Sequence, residues 1–157
     1  AGTHRYRVDT AQPNTSNTLS RFTMETLALY VVAATLGAML FFAVGVAPAV
    51  FQALPIEQAG QFLRKLFPRY YLALIVGSGV AGCLWISSAP LAAGTCLLIA
   101  VSTLWIRQQL VPRINQLRDA ELAGDAAAGA RFAKLHRVSV IINMIQLLAL
   151  VALLLKY

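Results

Sequence analysis

Four polar side chains recur at helical spacing inside a strongly apolar segment near the C-terminus. They are His136, Ser139, Asn143 and Gln146, which follow one another at intervals of three, four and three residues. This spacing places all four on one face of an α-helix. Because unpaired polar groups are costly in hydrocarbon, we expect this polar stripe to face other protein segments rather than lipid.

The polar stripe has two interpretations. In the first, its side chains form hydrogen bonds between helices, each contributing about 0.6–2 kcal/mol. In the second, the stripe lines a ligand or cofactor site in which His136 binds a metal ion or a haem. A single histidine lacks the partner ligands that a metal site requires. We therefore favour the first interpretation and predict neither a bound metal nor a cofactor.

Motifs of soluble enzymes are absent from the sequence. It contains no CxxC, HExxH, GxSxG, P-loop or dinucleotide-binding pattern. No carboxylate falls within a predicted membrane span, which argues against a proton-coupled pump. We predict that the chain is not an enzyme and has no catalytic residues. Cys83 and Cys96 are expected to be small packing residues, with a disulfide or a metal pair as the alternatives.

The composition is that of an integral membrane protein. Hydrophobic residues make up 59% of the 157 residues and charged residues only 12%, with a mean hydropathy of +0.68. Soluble domains carry about 25% charged residues. The net charge is +7, from 13 basic and 6 acidic residues. Because the basic residues lie in short segments beside apolar ones, they indicate membrane topology rather than nucleic-acid binding.

The apolar segments predict an all-α integral membrane fold, a four-transmembrane-helix bundle, because each is close to the roughly 20 residues that a spanning helix needs. A short amphipathic helix is expected over 55–66, between the first two spanning helices, where apolar residues recur at helical spacing. The predicted organisation is a polar N-terminal tail over 1–22 and a transmembrane domain over 23–157, with helices at about 23–51, 68–88, 90–123 and 126–155.

A few residues predict where these helices begin, bend and end. Pro68 and Pro90 suit the first turn of a helix, and Pro112 should kink the third spanning helix. Gly124 is expected to cap the C-terminus of that helix, and Asp125 the N-terminus of the fourth.

Small and basic residues on the second helix indicate contacts with neighbouring helices and with lipid. Close helix packing, or dimerisation through the same face, is predicted at Ser78, Gly79 and Gly82. Binding of lipid headgroups is predicted for the basic cluster of Arg64, Lys65 and Arg69.

The distribution of basic residues predicts the orientation. Nine of the 13 lie around the connections between helices 1 and 2 and between helices 3 and 4, and four lie on the opposite side. Because cytoplasmic loops carry the excess of Lys and Arg, we predict that these connections are cytoplasmic. Both termini are then on the periplasmic side of a bacterial inner membrane.

A weak internal similarity links the two halves of the chain. Pro48, Gly60 and Phe62 are followed by Lys65-Leu66-Phe67, and a related series consists of Pro112, Gly129, Phe132 and Lys134-Leu135-His136. Each series follows an odd-numbered helix and precedes an even-numbered one. A duplicated hairpin, forming a parallel repeat, is therefore a hypothesis.

Three motifs carry a resemblance to a known family. They are Ala47-Pro48-Ala49-Val50-Phe51-Gln52-Ala53-Leu54, Leu66-Phe67-Pro68-Arg69-Tyr70-Tyr71, and Leu135-His136-Arg137-Val138-Ser139 with Asn143. Over about residues 30–155 the chain resembles the transmembrane protein 205-like family, whose bacterial members carry a domain of unknown function numbered 4149. The resemblance implies a four-helix membrane protein and no established activity or cofactor. The matching motif positions are Pro48, Phe67, Pro68, Tyr70, His136, Ser139 and Asn143.

The expected function is that of a non-catalytic accessory or structural subunit of a larger membrane complex. Its expected partners are membrane lipids and other integral membrane subunits, with the tail over 1–22 as a contact, and nucleic acid is not among them. The alternative is a small transporter, or a membrane protein that handles a metal or haem, using the polar stripe.

Overall fold

The computed structural model describes residues 15–157, and four helices in this part are long and apolar enough to cross a membrane. We call these helices the first to fourth spans, and they are Leu19–Ala53, Ile56–Trp85, Pro90–Leu122 and Ala126–Lys156. The predicted all-α fold with four membrane-spanning helices is therefore confirmed, and the chain is a multi-pass membrane protein. The N-terminal helix already includes Thr15, upstream of the predicted start at 23. Residues 1–14, and with them most of the predicted tail contact, lie outside the described residues.

The first and third spans each combine α-helix with a short π-helical turn. The α-helices are α1 (Thr15–Leu40), α2 (Ala47–Ala53), α3 (Ile56–Trp85), α4 (Pro90–Trp105), α5 (Val111–Leu122) and α6 (Ala126–Lys156). The first π segment, Phe41–Val46, joins α1 to α2, and the second π segment, Ile106–Leu110, joins α4 to α5.

Both π segments end two residues before a proline. Pro48 follows the first segment, and Pro112 follows the second. Each segment closes with a bond over five residues, in which Ala47 N–H donates to the Phe42 carbonyl and Val111 N–H to the Ile106 carbonyl. A proline ring clashes with the carbonyl four residues earlier, and a widened turn relieves that clash. The disturbance predicted at Pro112 thus takes the form of a π turn.

The second span differs from its prediction. The segment over 55–66 is helical, but it is not a separate amphipathic helix, and α3 runs without a break from Ile56 through Pro68 to Trp85. Buried residues continue across the proline at helical spacing, at Ala59, Leu63, Tyr71 and Leu74. In a membrane this burial stabilises the helix through van der Waals packing. Continuous helix also keeps backbone groups paired, each of which costs several kcal/mol when unpaired in hydrocarbon, and this offsets the roughly 3 kcal/mol cost of an interior proline.

The connection between the third and fourth spans is built by two capping residues. Gly124 has a φ of 102°, a backbone conformation that favours glycine. Asp125 Oδ1 accepts hydrogen bonds from the amides of Ala127 at 2.9 Å and Ala128 at 3.1 Å. Both residues therefore have the capping roles that the sequence predicts.

The second span packs closely against its neighbours at two of its glycines. A Cβ atom at Gly82 would lie 2.8 Å from Leu97 Cγ and 3.2 Å from the Ala93 carbonyl oxygen. A Cβ at Gly77 would collide with Thr35 of the first span. At Gly79, by contrast, a Cβ would have no neighbour within 4 Å. Of the three predicted packing residues, Gly82 and the buried Ser78 lie in the interface, whereas Gly79 does not.

Substitution of these glycines tests the packing. We expect Gly82→Ala to lower the free energy of unfolding by about 1–3 kcal/mol, because the added methyl group must displace Leu97 and the α4 backbone. The matched control, Gly79→Ala, should leave stability unchanged or raise it by up to about 1 kcal/mol, since alanine is the better helix former. Unfolding of the purified protein in mixed detergent micelles measures both values. Equal effects of the two substitutions would contradict the packing described above.

Candidate functional site

A cavity of about 330 Å³ lies between the four spans, toward the end that holds the connections at 53–56 and 122–126. All four spans contribute to its wall. The lining residues include Met39, Phe42, Ala43 and Phe51 from the first span, Leu63, Phe67, Tyr70 and Tyr71 from the second, Val111, Ile114 and Asn115 from the third, and His136, Ser139, Val140, Asn143, Met144 and Leu147 from the fourth.

The π segments help to shape this cavity. Phe42 and Ala43 of the first π segment lie in its wall, and Val111 and Ile114 follow directly after the second. A π turn holds an additional residue and so rotates the helix that follows it. Such turns are frequent at functional sites, and here two of them border one cavity.

Four aromatic rings form a continuous wall on one side. Phe42 stacks on Tyr70 with ring centroids 4.3 Å apart, and Phe67 stacks on Tyr71 at 5.6 Å. Phe42 and Phe67, which come from different spans, are 5.4 Å apart. Aromatic pairs in such geometries contribute about 0.5–1.5 kcal/mol beyond their buried area. We call Phe42, Phe67, Tyr70 and Tyr71 the aromatic wall.

Three residues of the polar stripe lie on the facing side. Ser139 Oγ donates to the His136 carbonyl at 2.7 Å, and Asn143 Nδ2 lies 3.4 Å from the Ser139 carbonyl. The side chain of Tyr71 is within hydrogen-bonding reach of Asn143. Asn143 Oδ1 is buried and accepts no hydrogen bond from the described residues. The exposed His136 ring stacks on Phe132 at 5.8 Å.

The fourth residue of the stripe has a different role. Gln146 is only 4% exposed and does not line the cavity. Its Nε2 donates to Ser102 Oγ at 2.9 Å and to Thr103 Oγ1 at 3.2 Å, both on the third span. The two interpretations of the stripe therefore apply to different parts of it, with interhelical bonding at Gln146 and a cavity wall at the other three positions.

Charged side chains surround the end of the bundle without entering the cavity. Among the described lining residues there is no Asp, Glu, Lys or Arg. Arg64 Nη2 donates to Asp119 Oδ1 at 2.6 Å and to the Asn115 carbonyl at 3.3 Å, so it joins the second span to the third. Lys65 and Arg69 are exposed, and Arg69 Nη1 donates to the Lys65 carbonyl. Lipid-headgroup contact thus fits Lys65 and Arg69 better than the ion-paired Arg64.

Over residues 15–157, no three His, Cys, Asp or Glu residues stand close enough together to hold a metal ion. Cys83 is exposed, Cys96 is buried, and both are free thiols. What the cavity offers is apolar and aromatic surface with uncharged hydrogen-bonding groups, a combination suited to holding a small molecule.

Sequence reasoning identified the two halves of the site separately. It singled out Phe67 and Tyr70 as motif residues and the stripe as an interhelical face, with a ligand site as the alternative. The structure brings Phe67, Tyr70 and three of the four stripe residues to one cavity. Sequence reasoning missed Phe42 and named Tyr71 only as the last residue of the Leu66-Phe67-Pro68-Arg69-Tyr70-Tyr71 motif. The signal for Tyr71 was its position seven residues, or about two helical turns, before Ser78, which places the two on the same helical face. No comparable signal identified Phe42. Pro48 and Pro68 do not line the cavity.

The hydrogen bonds of Gln146 to the third span predict an energetic coupling between Gln146 and Thr103. We expect Gln146→Leu to lower the free energy of unfolding by about 0.6–2 kcal/mol, because the bonds to Ser102 and Thr103 are lost. In a double-mutant cycle, Thr103→Val should then cost less in the Gln146→Leu background than in the native one. Thr95→Val is the control, because the Thr95 hydroxyl bonds within its own helix. Full additivity of Gln146→Leu and Thr103→Val would contradict the assignment.

Comparison with known proteins places the chain in a family. A family model described as a domain of unknown function, DUF4149, matches residues 30–123. No curated protein and no solved structure matches the chain. The matched residues contain Pro48, Phe67, Pro68 and Tyr70, whereas His136, Ser139 and Asn143 lie beyond them. Since the model covers more than half of the 157 residues, the chain belongs to the DUF4149 family.

Proposed function

We propose that this membrane protein is a non-catalytic accessory subunit of a larger membrane complex. The supporting observation is a face of the first span that contains Ala34, Gly37 and Ala38, all exposed. Small residues four positions apart allow helices to approach closely in a membrane. Because this pair of alanines makes no such approach within the chain, it is available to a helix of another subunit.

The outward surface of the bundle agrees with this proposal. Only 22–39% of the positions in the apolar windows of the four spans are buried within the chain. Below the small-residue face, Leu40, Phe41 and Val44 are also exposed, and Val44 reaches 74% exposure. A partner helix that sits on Ala34 and Ala38 would also lie near these larger side chains, because Leu40 and Phe41 are within one helical turn of Ala38.

Location and orientation are part of the same proposal. We place the chain in a bacterial inner membrane with both termini on the periplasmic side, because nine of its 13 basic residues lie at the opposite end. The end of the bundle that holds the cavity then faces the cytoplasm. Within its family, we relate the chain to transmembrane protein 205-like proteins through the Leu-Phe-Pro-Arg-Tyr element at 66–70.

Native electrophoresis of membranes solubilised in mild detergent tests the subunit proposal. A tagged chain should migrate in a complex with other membrane proteins. Ala34→Ile and Ala38→Ile together should shift it to the free form, because the larger side chains separate the helices. Ala73→Ile is the control, since Ala73 is exposed on the second span. Migration of the unmodified chain as a monomer or homodimer alone would overturn the proposal.

The cavity favours a second candidate function, transport of small hydrophobic compounds. Its aromatic wall and polar groups suit such cargo, whereas His136 belongs to no group of three His, Cys, Asp or Glu residues that could hold a metal ion among the described residues. For this alternative function, we therefore favour hydrophobic compounds over metal or haem as the cargo.

Reconstituted vesicles test the transport candidate. Uptake of 2-naphthol, followed by its fluorescence, should exceed that of protein-free vesicles. Asn143→Leu and His136→Ala should each lower the excess at least several-fold, because both residues line the cavity. Gln61→Leu, on an exposed position of the second span, should leave it unchanged. Unaltered uptake in both cavity variants would exclude this mechanism.

A further inference from the structure

We propose that the cavity binds an uncharged amphiphile of the phenol type, with a planar aromatic body and one hydroxyl or N–H group. The inference concerns the same cavity as the transport candidate but needs only binding. Three features carry it, namely the absence of charge in the wall, a buried acceptor without a donor, and the aromatic wall.

The charge of the lining restricts the ligand to neutral molecules. No Asp, Glu, Lys or Arg lines the cavity among the described residues. An ionised ligand would lose hydration on entry and, apart from the exposed His136, would meet no strongly basic or acidic lining side chain to compensate for that loss. The nearby cation of Arg64 is already paired with Asp119 at 2.6 Å. A phosphate or carboxylate group would therefore stay outside the cavity.

The polar side of the cavity calls for a hydrogen-bond donor. Asn143 Oδ1 is buried without a donor partner among the described residues, although Asn143 forms part of the wall. A buried acceptor left without a donor costs about 1–3 kcal/mol. Two donors lie nearby: Ser139 Oγ donates to the His136 carbonyl at 2.7 Å, and the Tyr71 hydroxyl, although within reach of Asn143, does not donate to its Oδ1. A ligand hydroxyl or N–H would supply what the protein does not.

The aromatic wall and the volume define the rest of the ligand. Phe67 and Tyr71 present rings whose planes differ by only 17°, and a planar ring packs well against such a surface. A volume of about 330 Å³ equals roughly ten times the volume of a water molecule in the liquid. That space holds a compact one- or two-ring molecule and not a two-chain lipid.

The experiment compares two probes that differ in one group. Binding of 2-naphthol and of naphthalene to the full-length protein in nanodiscs is measured by fluorescence titration, with protein-free nanodiscs subtracted. The unmodified protein should bind 2-naphthol about tenfold more tightly than naphthalene, because only the former donates a hydrogen bond to Asn143.

Two variants and a control separate the contributions. Asn143→Leu should abolish the preference for 2-naphthol while naphthalene binding is retained. Phe67→Leu, which preserves an apolar side chain at the aromatic wall, should weaken both probes several-fold. Gln61→Leu makes the same amide-to-apolar change as Asn143→Leu at an exposed position, and should alter neither.

Several outcomes would overturn the inference. Equal affinity for the two probes would show that the cavity binds any apolar molecule and that the hydroxyl group contributes nothing. Absence of binding would show that the cavity is closed to such ligands. A co-purified acyl chain that blocks both probes, seen by native mass spectrometry, would assign the cavity to lipid. Binding as predicted without vesicle uptake would reject transport and leave the inference standing, so the two failures are distinguishable.

Discussion

Hydrocarbon offers no hydrogen bonds to a polypeptide backbone, and the rest of this structure depends on that constraint. Each span must pair its amides and carbonyls internally, even where Pro48, Pro68 and Pro112 remove a donor. A chain break at any of these prolines would leave several groups unpaired in an apolar environment. Continuous helix is therefore retained at all three, through a widened turn at two of them and without a change of helix type at Pro68.

The bundle is packed tightly at one end and loosely at the other. Beside the turn that follows Trp85, the close approach at Gly82 and the fully buried Trp85 leave little space between the second and third spans. Toward the other end, the aromatic wall and the fourth span enclose the cavity. The polar stripe crosses from one region to the other. Because the stripe runs from the tightly packed end to the loosely packed end, Gln146 bonds to a neighbouring helix while Asn143 lines the cavity.

The sequence predicts those features that depend on local patterns. The lengths of the apolar segments predict the four spans, and the intervals of three and four residues between polar side chains predict the stripe. The Gly124-Asp125 pair predicts the connection before the last span. Continuity through Pro68 depends instead on burial of side chains against other spans, which no local pattern contains. The cavity could not be predicted from the sequence for a related reason. A π turn shifts the helical phase, so spacing counted across Phe41–Val46 no longer tells which residues face inward.

The same distinction explains the glycines of the second span. Gly77, Gly79 and Gly82 are equivalent by residue type, and only the arrangement of Thr35 and Leu97 around them separates two close contacts from an open position. A motif of small residues therefore indicates that helices can approach, while the facing side chains decide where they do. Ser78, which is buried like Gly82, lies between the two contacts.

The matched π turns bear on the ancestry of the cavity. They occupy corresponding places in the first and third spans, and each precedes a proline by two residues. If both descend from one helical hairpin, that hairpin carried half of the present wall and enclosed no volume by itself. Two identical copies of that hairpin would then have been needed to enclose the cavity. After fusion of the two copies into one chain, one half could become the aromatic side of the wall and the other half the polar side.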